Sequence, residues 1–200
     1  MKNTFYKSVL LTLFIGFWSH ASQANISTVD SEHWSNQYDE LFKKHSSRYF
    51  GPHFNWRWFK AQAIAESGLK INVVSSSGAK GIMQIIPATF KEIKREQRYI
   101  DALDTAAGNI AAGIFYDREL FRKWQEMPEQ DRLFLAFASY NAGYYRVLKS
   151  YKRAKVKDWL HIQATLPKET RNYVARIRTL MEENKIIPQR MNLPASYFSA

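Results

Sequence analysis

The chain has 200 residues, of which 46% are hydrophobic and 15% aromatic, enough to bury the core of one domain and an argument against disorder. It contains no cysteine, which excludes disulfides, thiolate zinc sites and a thiol nucleophile. The formal net charge of +11 indicates either a basic solvated surface or attraction to a polyanion, such as nucleic acid, anionic lipid or cell wall.

The first 24 residues have the pattern of a secretory signal peptide. Lys2 and Lys7 flank the start of an apolar run over 9–18, and small residues follow up to Ala24. A basic start, a short apolar stretch and a small-residue site are typical of such signals. An uncleaved membrane anchor is the alternative, although the run is short for a bilayer span. We therefore expect cleavage near Ala24, export to the periplasm without a remaining membrane span, and no nucleic-acid partner.

The segment that follows predicts two helices and a loop. Between Trp34 and Phe42 the apolar residues recur at helical spacing, which predicts a helix over about 32–44. The segment 56–68 carries so few charges that its helix should be central and buried. The segment 71–81 holds a run of serines followed by a glycine, which predicts a loop.

The rest of the chain predicts further helices and no alternating strand. We expect helices over about 87–97, 109–126, 128–140 and 167–184. Proline suits the first turn of the last two, and Gly143 suits a C-terminal cap. We therefore predict a mostly α fold, with a single compact domain over about 32–186.

Glu66 is the first candidate for chemistry. It lies late in the most apolar predicted helix, where an ionised carboxylate is costly to bury unless it is paired. Desolvation should raise its pKa above about 4.3, so that the acid is protonated near neutral pH. Cleavage of a glycosidic bond needs such an acid, because the leaving oxygen must receive a proton. A structural salt bridge to a lysine or arginine is the alternative.

A series of motifs surrounds and follows Glu66. In chain order they are Ala65-Glu66-Ser67, Ser75, Gly78-Ala79-Lys80-Gly81-Ile82-Met83-Gln84, Pro87-Ala88-Thr89, Asn109-Ile110 with Gly113 and Tyr116, Ser139-Tyr140-Asn141-Ala142-Gly143, and Pro167-Lys168-Glu169-Thr170-Arg171-Asn172-Tyr173-Val174. Together and in this order they resemble the catalytic domain of soluble lytic transglycosylases, relatives of goose-type lysozyme. The chain departs from that pattern at Ile82, Ile86 and Tyr144, and the last departure should reshape one end of the groove.

This resemblance implies a lysozyme-like helical fold with a groove for the glycan strands of peptidoglycan. Glu66 would be the catalytic acid and then the base. The substrate-binding residues would be Ser75, Gly81, Met83, Gln84, Tyr140, Asn141, Glu169 and Tyr173. The implied organisation is a signal peptide at 1–24, an N-terminal extension with a short helix at 25–44, the catalytic domain at 45–186 and a C-terminal tail at 187–200.

The resemblance also implies a reaction with one carboxylate and no cofactor. Glu66 would protonate the oxygen between N-acetylmuramic acid and N-acetylglucosamine while the substrate's N-acetyl oxygen supports the developing cation. Glu66 would then take the proton of the sugar's 6-hydroxyl, which closes a 1,6-anhydro ring. The loop after Glu66 offers Asn72 and serines rather than a second acid, and none of the five histidines pair at metal-ligand spacing, so we expect no metal site.

Two rival functions stay open at this point. A lysozyme-like hydrolase would need a second carboxylate facing Glu66 across the groove. A non-catalytic glycan-binding or assembly factor would not need Glu66 to be open to the groove. We expect a monomer that binds peptidoglycan strands, and its service to a secretion or conjugation apparatus is an option that the sequence does not settle. The basic stretch 149–157 is either a solvated helix face or a wall-binding surface.

Overall fold

The computed structural model describes residues 28–100 and 102–181. Within them it contains eight helices: α1 (Asp39–Phe50), α2 (Arg57–Ser67), α3 (Pro87–Glu96), α4 (Ala106–Lys123), α5 (Glu129–Ala142), α6 (Tyr144–Arg153), α7 (Trp159–Ala164) and α8 (Lys168–Leu180). Among the described residues, β pairing is limited to two isolated antiparallel bridges in the loop between α2 and α3, Val74 with Lys80 and Lys80 with Ile85. The prediction of a mostly α fold is confirmed. The predicted signal peptide and C-terminal tail lie outside the described residues.

Helix α2 is the buried centre that its composition predicts. Phe59, Ala61, Ala63 and Ile64 have no exposed surface, and the helix packs mainly against α1 and α8. The helix ends where the N–H of Gly68 donates to the Ile64 carbonyl at 3.0 Å. Its last turn therefore brings a side chain from the middle of the core to the edge of the domain.

The predicted helix over 32–44 is wrong in position. Helix α1 begins at Asp39 and ends at Phe50, and Trp34 and Tyr38 precede it in turns. Both aromatic side chains nevertheless pack against the core, which explains the apolar spacing that suggested an earlier helix. Acidic residues occupy the first turn of α1, where they complement the positive end of the helix dipole.

The predicted bounds of α2, α3, α4, α5 and α8 agree with the structure to within a few residues, and Gly143 caps α5 as predicted. Helices α6 and α7 were not predicted. Lys157, in the basic stretch, donates from Nζ to the carbonyls of Tyr151 and Ala154 and so stabilises the C-terminal end of α6. No helix in the described part of the chain is long and apolar enough to cross a membrane.

Candidate active site

A tight loop between α2 and α3, residues 80–85, is called the floor loop below. Lys80 and Ile85 exchange backbone hydrogen bonds, with the Lys80 N–H donating at 3.0 Å and the Ile85 N–H at 3.1 Å. Two residues of the loop, Gly81 and Gln84, have positive φ angles of 76° and 47°. Such a backbone turns sharply and buries its own peptide groups, so these must be held by side chains from outside.

Helix α4 fixes the floor loop through hydrogen bonds and close packing. The Asn109 side chain, which has no exposed surface, accepts a hydrogen bond from the Met83 N–H at 2.7 Å. Its amide nitrogen donates to the carbonyls of Lys80 and Leu103, each at 3.0 Å. One turn later, a Cβ on Gly113 would lie 2.7 Å from the Met83 side chain. Met83 therefore packs directly on the α4 backbone, and the loop is fixed in three places.

Glu66 lies half-buried in the last turn of α2, beside the floor loop. Tyr173 of α8 donates from its hydroxyl to Glu66 Oε1 at 2.6 Å. The neighbouring Ser67 donates from Oγ to the Ile82 carbonyl at 2.8 Å, which ties the end of α2 to the floor loop. On the other side, the Tyr140 hydroxyl donates to the Met83 carbonyl at 2.7 Å. Three helices and one loop thus converge around a single carboxyl group.

Burial dominates the electrostatics of this carboxyl. It raises the pKa of Glu66 to about 7, against the opposing effects of the Tyr173 hydrogen bond and the positive charge of Arg176. The raised pKa agrees with the expectation from the sequence. Burial, reinforced by the charge of Glu66, also raises the pKa of Tyr140 and of Tyr173 well above the usual range, so both phenols remain neutral donors. The site can therefore hold a protonated acid near neutral pH.

Ser75 and Gln84, both predicted to bind the sugar, shape the loop in this structure. Ser75 Oγ accepts from the Ala79 N–H at 3.0 Å. Gln84 Nε2 donates to the carbonyls of Val73 and Gly81 at 3.1 and 2.9 Å, while its Oε1 is buried without a hydrogen-bond partner in the described part of the chain. Contact of either side chain with a sugar stays a prediction.

The remaining candidates lie at different depths. Met83 has no exposed surface: its side chain packs on α4, and its carbonyl accepts from the Tyr140 hydroxyl. Asn141 follows Tyr140 in the last turn of α5 and is half-buried. Glu169 is exposed in the first turn of α8, one turn before Tyr173. The binding roles of these residues also stay predictions.

Three residues near the site were not singled out from the sequence as site residues. Asn109 was noted within a motif, and Arg176 could have been suspected because it follows Tyr173 by one helical turn. Asp117 of α4 is fully buried, and no local pattern indicated its position. Across the described ranges, no group of three or more His, Asp and Glu side chains could hold a metal ion.

Comparison with known proteins places the chain in one family. The family model described as the transglycosylase SLT domain matches residues 41–162, and the chain therefore belongs to this family. The resemblance drawn from the motifs is thereby confirmed.

Individual relatives are similar over the same region. The chain is 30% identical over 149 residues to the membrane-bound lytic murein transglycosylase F of Shewanella sp. (strain ANA-3), covering 71% of this chain and 29% of that relative. The corresponding protein of Shewanella baltica (strain OS155) is 28% identical over 148 residues, with the same coverage of both chains. The chain thus matches less than a third of the length of these relatives.

Solved structures share the fold. The lytic transglycosylase Slt of Pseudomonas aeruginosa, solved as an inactive mutant, superposes with a TM-score of 0.65 at 22% identity, over 76% of this chain and 25% of that one. The 70 kDa soluble lytic transglycosylase of Escherichia coli gives a TM-score of 0.63 at 23% identity, over 82% of this chain and 26% of that one. These likenesses show a common helical architecture.

Proposed function

We propose that this protein is a lytic transglycosylase that cleaves the β-1,4 bond between N-acetylmuramic acid and N-acetylglucosamine in peptidoglycan and leaves a 1,6-anhydro end. The observation that carries the proposal is the half-buried Glu66. Burial raises its pKa to about 7, and its Oε1 accepts a hydrogen bond from the Tyr173 hydroxyl. The names of the relatives, all lytic murein transglycosylases, support the same reaction.

The geometry around Glu66 suits the first step, protonation of the leaving oxygen. Because the Tyr173 hydroxyl donates to Oε1, the acid proton belongs on Oε2. A carboxyl with a pKa of about 7 is protonated in a large fraction of molecules at neutral pH. The sugar's own N-acetyl oxygen would support the positive charge that develops as the glycosidic bond breaks.

The same neighbours suit the second step, in which Glu66 acts as a base. Once its proton is transferred, the carboxylate is stabilised by the Tyr173 hydrogen bond and the charge of Arg176. These two groups keep the ionised form accessible inside a buried site. Glu66 would then remove the proton of the 6-hydroxyl, whose oxygen attacks the anomeric carbon of its own sugar and closes the ring. Because the attack is intramolecular, it competes well with free water.

A lysozyme-like hydrolase is the rival for the same bond, and it would need a second carboxylate on the groove. Asp117 is the acid whose pKa the charge of Glu66 raises in this structure. It has no exposed surface and is hydrogen-bonded to Gln62 inside the domain, so it cannot contact a sugar or a water in the groove. A non-catalytic glycan-binding factor would not need Glu66 to reach the surface, whereas Glu66 is partly open.

Product analysis tests the reaction. Isolated sacculi digested with the protein should release fragments that end in 1,6-anhydro-N-acetylmuramic acid. Ring closure consumes no water, so each fragment should be lighter by one water than the corresponding hydrolysis product. Mass spectrometry of the fragments, with a digest by a hydrolytic lysozyme as the control, makes the measurement. Reducing ends as the main product would show that the chain is a hydrolase and that the single-carboxylate mechanism is wrong.

We also propose that the protein is exported and acts in the periplasm, where its substrate lies. The motivation is the sequence pattern of the first 24 residues, with its basic start and short apolar run. N-terminal sequencing of the protein from the periplasmic fraction should give a chain that begins near Asn25. An intact Met1 in the membrane fraction would contradict the proposal. The same cleavage could open the wall locally for a secretion or conjugation complex. Deletion of the gene in a strain with such an apparatus, followed by measurement of secretion or conjugation, would test this role.

A further inference from the structure

A buried carboxyl on α4 and a buried amide on α2 are hydrogen-bonded to each other, one turn of α2 before Glu66. Asp117 of α4 and Gln62 of α2 each have no exposed surface, and Gln62 Nε2 donates to Asp117 Oδ1 at 3.2 Å. The remaining oxygens of the same two groups, Asp117 Oδ2 and Gln62 Oε1, are both buried without a hydrogen-bond partner among the described residues. If Asp117 were ionised, two acceptors would be left without a donor, and a negative charge would be buried as well.

One proton removes this conflict. Placed on Asp117 Oδ2, it creates a donor for Gln62 Oε1, so that the acid and the amide form a ring of two hydrogen bonds. We propose that Asp117 is kept as the neutral acid in such a ring with Gln62, and that this pair positions Glu66 for the reaction proposed above. The inference rests on the proposed function for its catalytic consequence but not for the protonation of Asp117.

The surroundings of the pair favour the neutral acid. The ion pairs in the described part of the chain do not include Asp117. Burial, with the negative charge of Glu66 added, raises the pKa of Asp117 well above its usual range. The titratable groups whose charges are coupled to that of Asp117 are Glu66 of α2, Tyr116 of α4, Tyr140 of α5 and Tyr173 of α8. His45 lies on α1 and Glu92 on α3, the other helices that pack against α4. Burial lowers the pKa of His45 to about 4, so it supplies no positive charge near neutral pH.

The spacing along α4 shows what the pair positions. Asn109, Gly113 and Asp117 are four residues apart and share one face of the helix. The first two hold the floor loop, while Asp117 holds Gln62, which lies one turn before Glu66 on α2. One face of α4 therefore sets the distance between the carboxyl and the floor loop. Because α2 packs mainly against α1 and α8, the buried pair is a specific link between α2 and α4.

The protonation state can be measured directly on the full chain. With ¹³C in the aspartate carboxyl groups, the Asp117 signal is assigned by its loss in Asp117→Asn. It should keep the shift of a protonated acid at neutral pH, where a free aspartate, with a pKa of about 3.9, would be ionised. An Asp117 signal with the shift of an ionised carboxylate at neutral pH would overturn the proposal.

Two substitutions test the positioning role. Asn at position 117 can accept from Gln62 Nε2 and donate to Gln62 Oε1, so Asp117→Asn should keep the ring and retain turnover. Leu leaves both Gln62 atoms unpaired, so Asp117→Leu should lower kcat by about 100-fold with little change in KM, as expected when a reacting group is misplaced by about 1 Å. A fall in kcat of the same size in both variants would overturn the proposal.

The pH profile gives a readout that does not depend on how well the Leu variant folds. A neutral Asp117 exerts no charge on Glu66, so Asp117→Asn should leave unchanged the pH at which activity declines. A decline that moves to lower pH would mean that Asp117 is ionised in the native protein, and the proposal would be wrong. If the unmodified chain cleaves no glycan, the proposed function fails, whereas the ¹³C titration still decides the state of Asp117.

Discussion

Glu66→Gln is expected to lower the rate of peptidoglycan cleavage by about 10⁴-fold, the upper end of what general acid–base catalysis contributes. The large effect is expected because one residue serves both as the acid of the first step and as the base of the second. Gln keeps the acceptor for the Tyr173 hydroxyl, so the site should stay assembled. Release of soluble fragments from sacculi measures the loss.

A matched control makes the same chemical change on an exposed carboxyl. Glu40→Gln alters a side chain of α1 that is 86% exposed and paired with Lys43 at the surface. Its activity should equal that of the unmodified chain. Full activity in Glu66→Gln would refute the role of Glu66, and equal losses in both variants would point to a general effect of charge.

Glu66→Gln should become more stable than the unmodified chain as the pH rises. The pKa of Glu66 is about 7 in the folded chain against 4.5 as its ordinary value, so the folded state binds more protons between these pH values. The unmodified chain therefore loses stability as the pH rises from about 4.5 to about 7, by at most on the order of 3 kcal/mol. Glu66→Gln does not titrate, so its thermal midpoint should match below pH 4.5 and exceed the unmodified chain's at pH 8. A constant difference at both pH values would contradict the raised pKa.

The proton of Glu66 also sets the expected pH dependence of the reaction. Because cleavage begins from the protonated acid, activity should decline as the pH rises past about 7. A rate that stays level to pH 9 would contradict this assignment of the acid.

Much of this site could be predicted because its features lie close together in sequence. Helix α2 was predicted because it is apolar on every side, and the same composition drew attention to Glu66 as a charged residue in that helix. The error over 32–44 has a physical reason as well. Apolar spacing reports which side chains are buried, and Trp34 and Tyr38 are packed against the core from turns rather than from a helix.

The features that the sequence does not predict depend on contacts between residues far apart in the chain. Asp117 and Gln62 are 55 residues apart, and neither residue reveals its partner in one sequence. Tyr173 was predicted to lie near the reacting sugar from a motif, but its hydrogen bond to Glu66 spans 107 residues. The sequence does not predict the bounds of α6, because its many basic residues indicate a charged surface, whereas Val147 and Ser150 are buried along its inner side.

Gly81→Ala is the second substitution with a large expected effect, because the added Cβ would collide with the Asn109 side chain that holds the floor loop. A Cβ on Gly81 would lie 2.4 Å from Asn109 Nδ2 and 2.7 Å from Asn109 Cγ. Asn109 cannot move aside without cost, since its buried side chain makes three hydrogen bonds to the floor loop and to Leu103. The φ angle of 76° adds a penalty of roughly 1–2 kcal/mol for a residue with a side chain.

A second glycine of the same loop region separates the two effects. Gly78 has nearly the same φ angle, 79°, but a Cβ there would meet nothing within 4 Å. Gly78→Ala should therefore show the backbone penalty alone, a fall in thermal midpoint of about 3 °C. Gly81→Ala adds overpacking of roughly 1–3 kcal/mol, so its midpoint should fall by about 7 °C in total.

The rate of cleavage should depend on the position of the floor loop more strongly than the stability of the fold does. Gly81→Ala must displace either the floor loop or Asn109, and the Met83 carbonyl that binds the Tyr140 hydroxyl moves with that loop. Cleavage should therefore fall by at least about 10-fold at a temperature where both variants are fully folded, while Gly78→Ala keeps most of its rate. Equal losses of activity in the two variants would mean that the backbone angle matters and the contact with Asn109 does not. The difference between them thus measures how far the position of the floor loop, set by α4, controls the chemistry at Glu66.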